Sequence, residues 1–249
     1  MNHDREGEHH PLAQPVDGGE AAPQAGSDPA EGSSEHGLRG GASVGGEDSR
    51  GTRPERATRF VETAQGVLSY AELAPLLADR VAAVEQGIAE GEYQEHPLDE
   101  WLLLDLHRRT CGDLVPEWAG MWRDIEVTVG RLHPPLPFQL PMLMRDYALD
   151  LQARWEGASV DMGELMLEFL AFAEGRFLTI HPFRDFNGRT IRLFLSELLR
   201  RLDLPEVDLA PEADEERAAY FTALEAADAL DWGPLTAVWN NRLATPPRD

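Results

Sequence analysis

Twelve consecutive residues, from His181 to Arg192, carry side chains that can move a proton and hold a phosphate. A histidine such as His181 titrates near neutral pH and can take the proton of an attacking hydroxyl. Asp185 offers the hard oxygen ligand that Mg²⁺ prefers. Arg189 and Arg192 project from neighbouring positions of one helix face and can fork onto phosphate oxygens. The pattern predicts a site that binds a nucleotide phosphate and deprotonates a nucleophile.

Each of these side chains has a plainer interpretation when it is taken alone. A histidine after a helix is often a cap or a surface residue, and Asp185 alone would be a turn former. Arginines in the first turn of a helix oppose the macrodipole preference, which favours acidic residues there. The combination of His, Asp, Asn, Gly and two Arg in one short segment favours the functional interpretation.

Two amphipathic helices must position this segment. Apolar residues recur at helical spacing on both sides, which predicts a helix that ends before His181 and another that begins near Asn187. The N-terminus of a helix has unpaired backbone N–H groups and the positive end of the dipole, so it stabilises an anion. The chain contains no lysine, which excludes a Walker-type phosphate loop.

The segment HPFRDFNGRTIR resembles the signature of the Fic (Fic/Doc) family, His-Pro-Phe-x-Asp/Glu-Gly-Asn-Gly-Arg-x-x-Arg. The resemblance implies that His181 is the general base and that Asp185 holds Mg²⁺. It further implies that Asn187 anchors the α-phosphate, that Gly188 and neighbouring amides form the anion hole, and that two arginines hold the β- and γ-phosphates. These arginines are Arg189 and Arg192.

The resemblance extends from about Leu98 to about Trp239 and implies a mainly α fold, a Fic-fold helical domain with a short β-hairpin flap. It also implies transfer of AMP from ATP to a Ser, Thr or Tyr hydroxyl of a target protein. Two alternatives stay open. The enzyme could use another donor, moving another nucleotide, phosphate or phosphocholine, or the chain could be a nucleotide-binding module with little catalysis.

Phe186 is the one departure, because it stands where the family has glycine or alanine. Phenylalanine at positive φ would be strained. We therefore expect an ordinary helical conformation at Phe186, with the ring in apolar surroundings and the anion hole usable. In the alternative, the ring narrows the site and makes Phe186 part of nucleotide selection.

A flap is predicted ahead of the motif. The alternation of Ile125, Val127 and Val129 predicts a strand that ends at Gly130. In the family this flap pins a target segment by strand pairing, which implies that the target-binding residues are Val127, Thr128, Val129, Gly130 and His133. The alternatives are an ordinary edge hairpin and a surface role for His133.

Regulation is the next expectation from the resemblance. Many members are silenced by a glutamate of a Ser/Thr-x-x-x-Glu-Gly/Asn helix, which pairs with the second arginine of the motif. The nearest match that we identify, Glu90-Gly91, lacks the leading hydroxyl residue. Glu90 is therefore a candidate inhibitory residue, with the alternative that it ends a helix begun by a Ser69–Glu72 capping box. A separate antitoxin-like protein could inhibit the enzyme instead.

Composition predicts one folded domain with a tail. Residues 1–57 have few large apolar side chains and are predicted to be disordered, residues 58–96 to form a helical extension, 97–243 the Fic domain and 244–249 a tail. The formal net charge of −23 argues against nucleic-acid and membrane partners. The absence of a signal peptide and the single cysteine fit a cytoplasmic protein, and the lysine-free composition suggests a bacterial one.

Overall fold

The computed structural model describes residues 60–160, 163–211 and 213–245. In this part of the chain a two-stranded antiparallel hairpin precedes seven α-helices. The structure is therefore mainly α, as predicted. The predicted tail, residues 1–57, lies outside the described residues. The elements are β1 (Phe60–Thr63), β2 (Gly66–Ser69), α1 (Tyr70–Ala89), α2 (Glu100–Cys111), α3 (Leu140–Ala158), α4 (Glu164–Ile180), α5 (Asn187–Arg201), α6 (Asp214–Asp228) and α7 (Gly233–Ala244).

Helix α4 lies at the centre and packs against α3, α5, α6 and α7. Most of its side chains are apolar and buried, as expected for a helix that is covered on several faces. Gly175 permits the closest of these contacts, because a Cβ there would lie 2.9 Å from the ring of Trp232 and 3.0 Å from Ala227. This packing fixes the end of α4, where the predicted site begins.

Helix α1 starts at the predicted capping box. The Ser69 hydroxyl accepts from the backbone N–H of Glu72, and the Glu72 carboxylate accepts from the backbone N–H of Ser69. The residues before α1 differ from the predicted helical extension, because residues 60–69 form the β1–β2 hairpin. Four-residue strands are too short to produce a clear periodic pattern, so the sequence did not reveal them.

The connection between α4 and α5 confirms the predicted helix boundaries. Helix α4 ends at Ile180, with His181 as its cap, and α5 begins at Asn187. Only six residues join the two helices, so the chain must turn sharply. Both His181 and Phe186 take up left-handed conformations, with φ of 50° and 60°.

Phe186 therefore has the positive φ that glycine favours, and our expectation of an ordinary helical conformation was wrong. The connection turns through a left-handed residue here, although that residue carries a phenylalanine side chain. The expected apolar surroundings of the ring are confirmed, since it is 1 % exposed and packs in an apolar cluster. The buried members of this cluster are Val61, Tyr70, Leu73, Leu77, Cys111, Leu114, Val115 and Phe186.

The strand predicted at residues 125–129 does not form as a regular strand. Burial alternates as expected, with Val127 and Val129 inside, but the pairing is reduced to one bridge between Val129 and Leu132. Gly130 turns the chain at a φ of 60°. The flap is thus an extended segment that closes in a tight turn.

Among the described helices, none combines the length and the apolar composition that crossing a lipid bilayer requires.

The left-handed conformation of Phe186 predicts an unusual order of stabilities. Phe186→Ala should destabilise the protein by about 3–5 kcal/mol because the buried ring is lost. Phe186→Gly should be about 1 kcal/mol less damaging than Phe186→Ala, since glycine tolerates positive φ. Urea unfolding of the two variants measures this difference.

Phe194, which is fully buried within α5, provides the matched control. At this right-handed position Phe194→Gly should be the worse variant by about 1 kcal/mol. The same order at both positions would contradict the left-handed assignment.

Candidate active site

His181 lies where α4 ends and is 3 % exposed. Its backbone N–H donates to the carbonyl of Phe177 at 2.9 Å, which completes the last helical turn. Its own carbonyl accepts from Nε of Arg123 at 2.8 Å. The backbone of the predicted base is therefore held from both sides.

Arg123 links the end of α4 to both ends of the flap. Besides His181, its guanidinium donates to the carbonyls of Ile125 at 2.9 Å and Pro135 at 2.6 Å. Its backbone N–H donates to Pro182. Burial lowers the pKa of Arg123 to about 10, so the guanidinium stays charged at neutral pH. Carbonyls at a helix C-terminus carry partial negative charge and suit this buried cation.

Asn187 braces the loop between the two helices. Its side-chain oxygen accepts from the backbone N–H of Phe183 at 2.9 Å, and its Nδ2 donates to the carbonyl of the same residue at 3.0 Å. The structure thus gives Asn187 a loop-shaping role alongside the predicted contact with the α-phosphate. Arg184 adds an ion pair with Asp124 of the flap.

His107 is a second brace, from α2. Its ring stacks on Phe183 with centroids 3.8 Å apart and planes within 5°. The backbone N–H of Gly120 donates to Nδ1 at 2.8 Å, so the proton lies on Nε2, which donates to the carbonyl of Asp185 at 3.2 Å. Burial lowers the pKa of His107 to about 3, which keeps the ring neutral. Sequence patterning did not assign His107 this role.

Asp185 is buried and its Oδ1 accepts two hydrogen bonds. The hydroxyl of Tyr70 and the backbone N–H of Phe186 each donate to this oxygen at 2.7 Å. No group of three or more metal-ligating side chains is found among the described residues. A single carboxylate fits Mg²⁺, which is commonly held by one or two carboxylates together with substrate phosphates.

The N-terminus of α5 faces the same loop. Its cap residue, Phe186, makes no side-chain cap hydrogen bond, so the first backbone N–H groups of the helix, which include that of Gly188, suit an anion. Arg189 and Arg192 are half-buried and line a groove of about 810 Å³ between α1, α5 and the segment 203–210. The predicted arginine pair therefore borders a cavity large enough for phosphates.

Glu85 is a residue of this groove that the sequence analysis missed. It lies on α1 and lines the groove together with Arg189 and Arg192. Glu85 is exposed, yet partial desolvation in the groove raises the pKa of its carboxyl, Glu206 raises it further, and Arg192 lowers it. The predicted inhibitory residue, Glu90, is exposed and accepts a hydrogen bond from Gln86. The sequence signal that could have identified Glu85 is its position on the face of α1 that packs on α5, rather than a Glu-Gly pair.

The flap residues divide by exposure. Val127 and Val129 are buried, whereas Thr128, Gly130 and His133 are exposed. In residues 125–133 of the described chain, Val129 and Leu132 form the backbone-to-backbone hydrogen bonds, and the carbonyl of Ile125 accepts from Arg123. The rest of the flap backbone is therefore suited to pairing with another strand.

Cys111 is fully buried beside His107. Burial raises the pKa of its thiol, so it is not a nucleophile at neutral pH.

The middle of the chain, residues 97–199, matches a known protein family. The Fic/DOC family model matches residues 97–199, which contain α2 to α4, all but the last two residues of α5, and the whole motif. The segment is a Fic/DOC domain. The described fold accordingly places a Fic/DOC motif loop at the junction of α4 and α5, with the hairpin and α1 before the matched region.

Both curated sequences and solved structures are similar to parts of this chain. A protein adenylyltransferase Fic from Drosophila persimilis is 34% identical over 132 residues, which are 53% of this chain and 24% of that protein. The chain thus spans about a quarter of the length of this relative. Residues 134–508 of Fic-1 from C. elegans align with a TM-score of 0.50 at 26% identity, over 65% of this chain and 46% of the other.

A third similarity concerns the fold alone. The BepC protein of Bartonella tribocorum, solved with bound AMPPNP, aligns with a TM-score of 0.55 at 18% identity. The alignment covers 78% of this chain and 96% of that one. The arrangement of helices around α4 is therefore a Fic-fold arrangement.

The burial of His107 predicts how stability depends on pH. In the unfolded chain this histidine titrates near its ordinary pKa of about 6.5, whereas in the folded protein its pKa is about 3. Between these values the unfolded state binds one more proton, so the free energy of unfolding falls as the pH is lowered, by up to about 1.4 kcal/mol per pH unit. Urea unfolding between pH 5 and 7 measures this slope.

His107→Gln is the variant that isolates this effect. It should flatten the dependence by close to one proton, while His96→Gln, at an exposed histidine, should leave it unchanged. An equal slope in His107→Gln and the unsubstituted protein would contradict the buried neutral histidine.

Proposed function

We propose that this chain transfers AMP from ATP to a hydroxyl side chain of a target protein, with His181 as the general base. The observation that carries the proposal is the motif loop itself. It brings the base, a carboxylate and an open helix N-terminus together within one short, braced turn. Relatives that share 34% identity are named protein adenylyltransferase Fic, which supports the same reaction.

The proposed reaction gives a role to each polar group of the loop. The hydroxyl oxygen of a Ser, Thr or Tyr attacks the α-phosphorus, its proton passes to the imidazole of His181, and the bond to the β-phosphate breaks, so that pyrophosphate leaves. The N-terminal N–H groups of α5, including that of Gly188, stabilise the charge on the α-phosphate. Arg189 and Arg192 bind the leaving phosphates.

Asp185 would hold Mg²⁺ on the nucleotide phosphates, where the ion supplies charge neutralisation as pyrophosphate departs. The flap would present the target segment by strand pairing through residues 127–130, with His133 at its edge. Because the strand pairing uses main-chain groups, the residues that flank the modified hydroxyl are only weakly specified. A separate inhibitory protein and a cytoplasmic, bacterial setting remain predictions of the sequence.

The Phe186 ring favours an enzyme over a binding module. It packs beneath the loop against Tyr70 and Trp118, with Arg189 5.8 Å from its centroid. The burial of the ring in that apolar cluster supports a phosphate site that the ring does not narrow, and therefore the usual chemistry.

Transfer can be tested with two radioactive labels. Incubation with Mg²⁺ and α-labelled ATP should leave the label on protein, whereas γ-labelled ATP should leave none, because AMP rather than phosphate is moved. His181→Ala should reduce the label at least about 100-fold, and His96→Ala should match the unsubstituted protein. Labelling by the γ-phosphate would replace AMP transfer with phosphate transfer, and labelling that survives His181→Ala would remove His181 as the base.

Regulation of the same site can be tested with a matched pair of glutamates. Glu85 shares the groove with Arg192, so its carboxylate competes with a terminal phosphate for the guanidinium. We expect Glu85→Gln to raise AMP transfer severalfold and Glu90→Gln to leave it unchanged, measured as initial rates of auto-modification. If only Glu90→Gln raised the rate of AMP transfer, Glu90 rather than Glu85 would be the inhibitory residue.

A further inference from the structure

Tyr70 and Asp185 lie 115 residues apart in the chain and meet in a buried hydrogen bond. The Tyr70 hydroxyl donates to Oδ1 of Asp185 at 2.7 Å. The two residues are 5 % and 4 % exposed, so water does not compete strongly for this contact. A hydrogen bond between a hydroxyl and a buried carboxylate is among the stronger ones in proteins.

The position of Tyr70 is determined by elements that precede the Fic/DOC match. Tyr70 is the first residue of α1, directly after the Ser69 capping box, and Ser69 pairs with Phe60 in the hairpin. The backbone N–H of Ala64, in the hairpin loop, donates to the carbonyl of Leu114 at 2.8 Å. This hydrogen bond ties the hairpin to the body of the domain, and the pairing of Ser69 with Phe60 connects the start of α1 to the hairpin.

The Tyr70 ring completes the support of the loop. Its centroid lies 6.4 Å from that of Phe186, and both rings belong to the apolar cluster that holds Phe186 in its left-handed conformation. The backbone N–H of Phe186 also donates to Oδ1 of Asp185. Tyr70 thus contacts both the carboxylate and the residue that follows it.

Two donors on one oxygen fix the orientation of the Asp185 side chain. Oδ1 is bound by a hydroxyl and a backbone amide, so rotation of the carboxyl group would break two buried hydrogen bonds. Preorganised ligands bind a cation more tightly, because less freedom is lost on binding.

We propose that Tyr70 is a positioning residue, which holds the Asp185 carboxylate in the orientation that binds Mg²⁺ on the nucleotide. The inference rests on the proposed function, since it deepens the role of Asp185. It also makes the hairpin and the start of α1 part of the active site, although both precede residue 97, where the family match begins.

Calorimetric titration of ATP, with Mg²⁺ and separately with EDTA, tests this role without requiring turnover. In Tyr70→Phe the ring and its packing are retained and only the hydroxyl is lost. We expect the variant to bind ATP in EDTA as the unsubstituted protein does, but to lose roughly fivefold to tenfold in affinity when Mg²⁺ is present. Tyr147→Phe is the matched control, because it removes another buried hydroxyl, which donates to the carbonyl of Ala173. It should change neither titration.

The outcomes separate this inference from the proposed function. Equal affinities of Tyr70→Phe and the unsubstituted protein in both titrations would overturn the role of Tyr70 and leave AMP transfer standing. Equal weakening with and without Mg²⁺ would also overturn it, since Tyr70 would then support only the scaffold. If the unsubstituted protein bound no ATP in either titration, the proposed function and the role of Tyr70 would both fail.

A second variant guards against a simple loss of folding. Asp185→Asn should remove the Mg²⁺ dependence by itself, and adding Tyr70→Phe to it should cause no further loss, because both changes act on one interaction. Additive losses in the double variant would contradict the proposal. Thermal unfolding of each variant confirms that the comparison is made between folded proteins.

Discussion

The connection between α4 and α5 is the constraint on which the site depends. Six residues must reverse the chain, and they do so through two left-handed residues, His181 and Phe186, neither of which is glycine. Such conformations cost about 1–2 kcal/mol each and persist only where the surroundings enforce them. Here, three braces enforce them. Arg123 holds the carbonyl of His181, Asn187 holds Phe183, and the apolar cluster holds the ring of Phe186.

These braces come from parts of the chain that are distant in sequence. Arg123 also binds the flap, so the backbone of the proposed base and the proposed target-binding segment share one buried cation. His107 connects α2 to the loop, and Tyr70 connects α1 to it. A change in the position of the flap, of α2 or of the hairpin would therefore alter the loop through Arg123, His107 or Tyr70, respectively.

Local signals were sufficient to predict much of this arrangement. The Ser69–Glu72 capping box, the helical spacing before His181 and the start of α5 at Asn187 are all encoded within a few residues, and all are confirmed. The hairpin at 60–69 was missed because its strands are short. The backbone at Phe186 was wrongly predicted, since residue type alone disfavours positive φ, and the packing of the Phe186 ring in its cluster is a tertiary feature that residue type does not reveal. Contacts such as Tyr70 to Asp185 depend on how α1 packs, which one sequence does not reveal.

The central claim is that the N-terminus of α5 and the two motif arginines hold a nucleotide over His181. A crystal structure with Mg²⁺ and a non-hydrolysable ATP analogue tests it most directly. We predict the α-phosphate on the first N–H groups of α5, the terminal phosphates on Arg189 and Arg192, and Phe186 still left-handed beneath the loop. Phosphates bound away from α5, or a Phe186 ring displaced into the nucleotide site, would contradict the account.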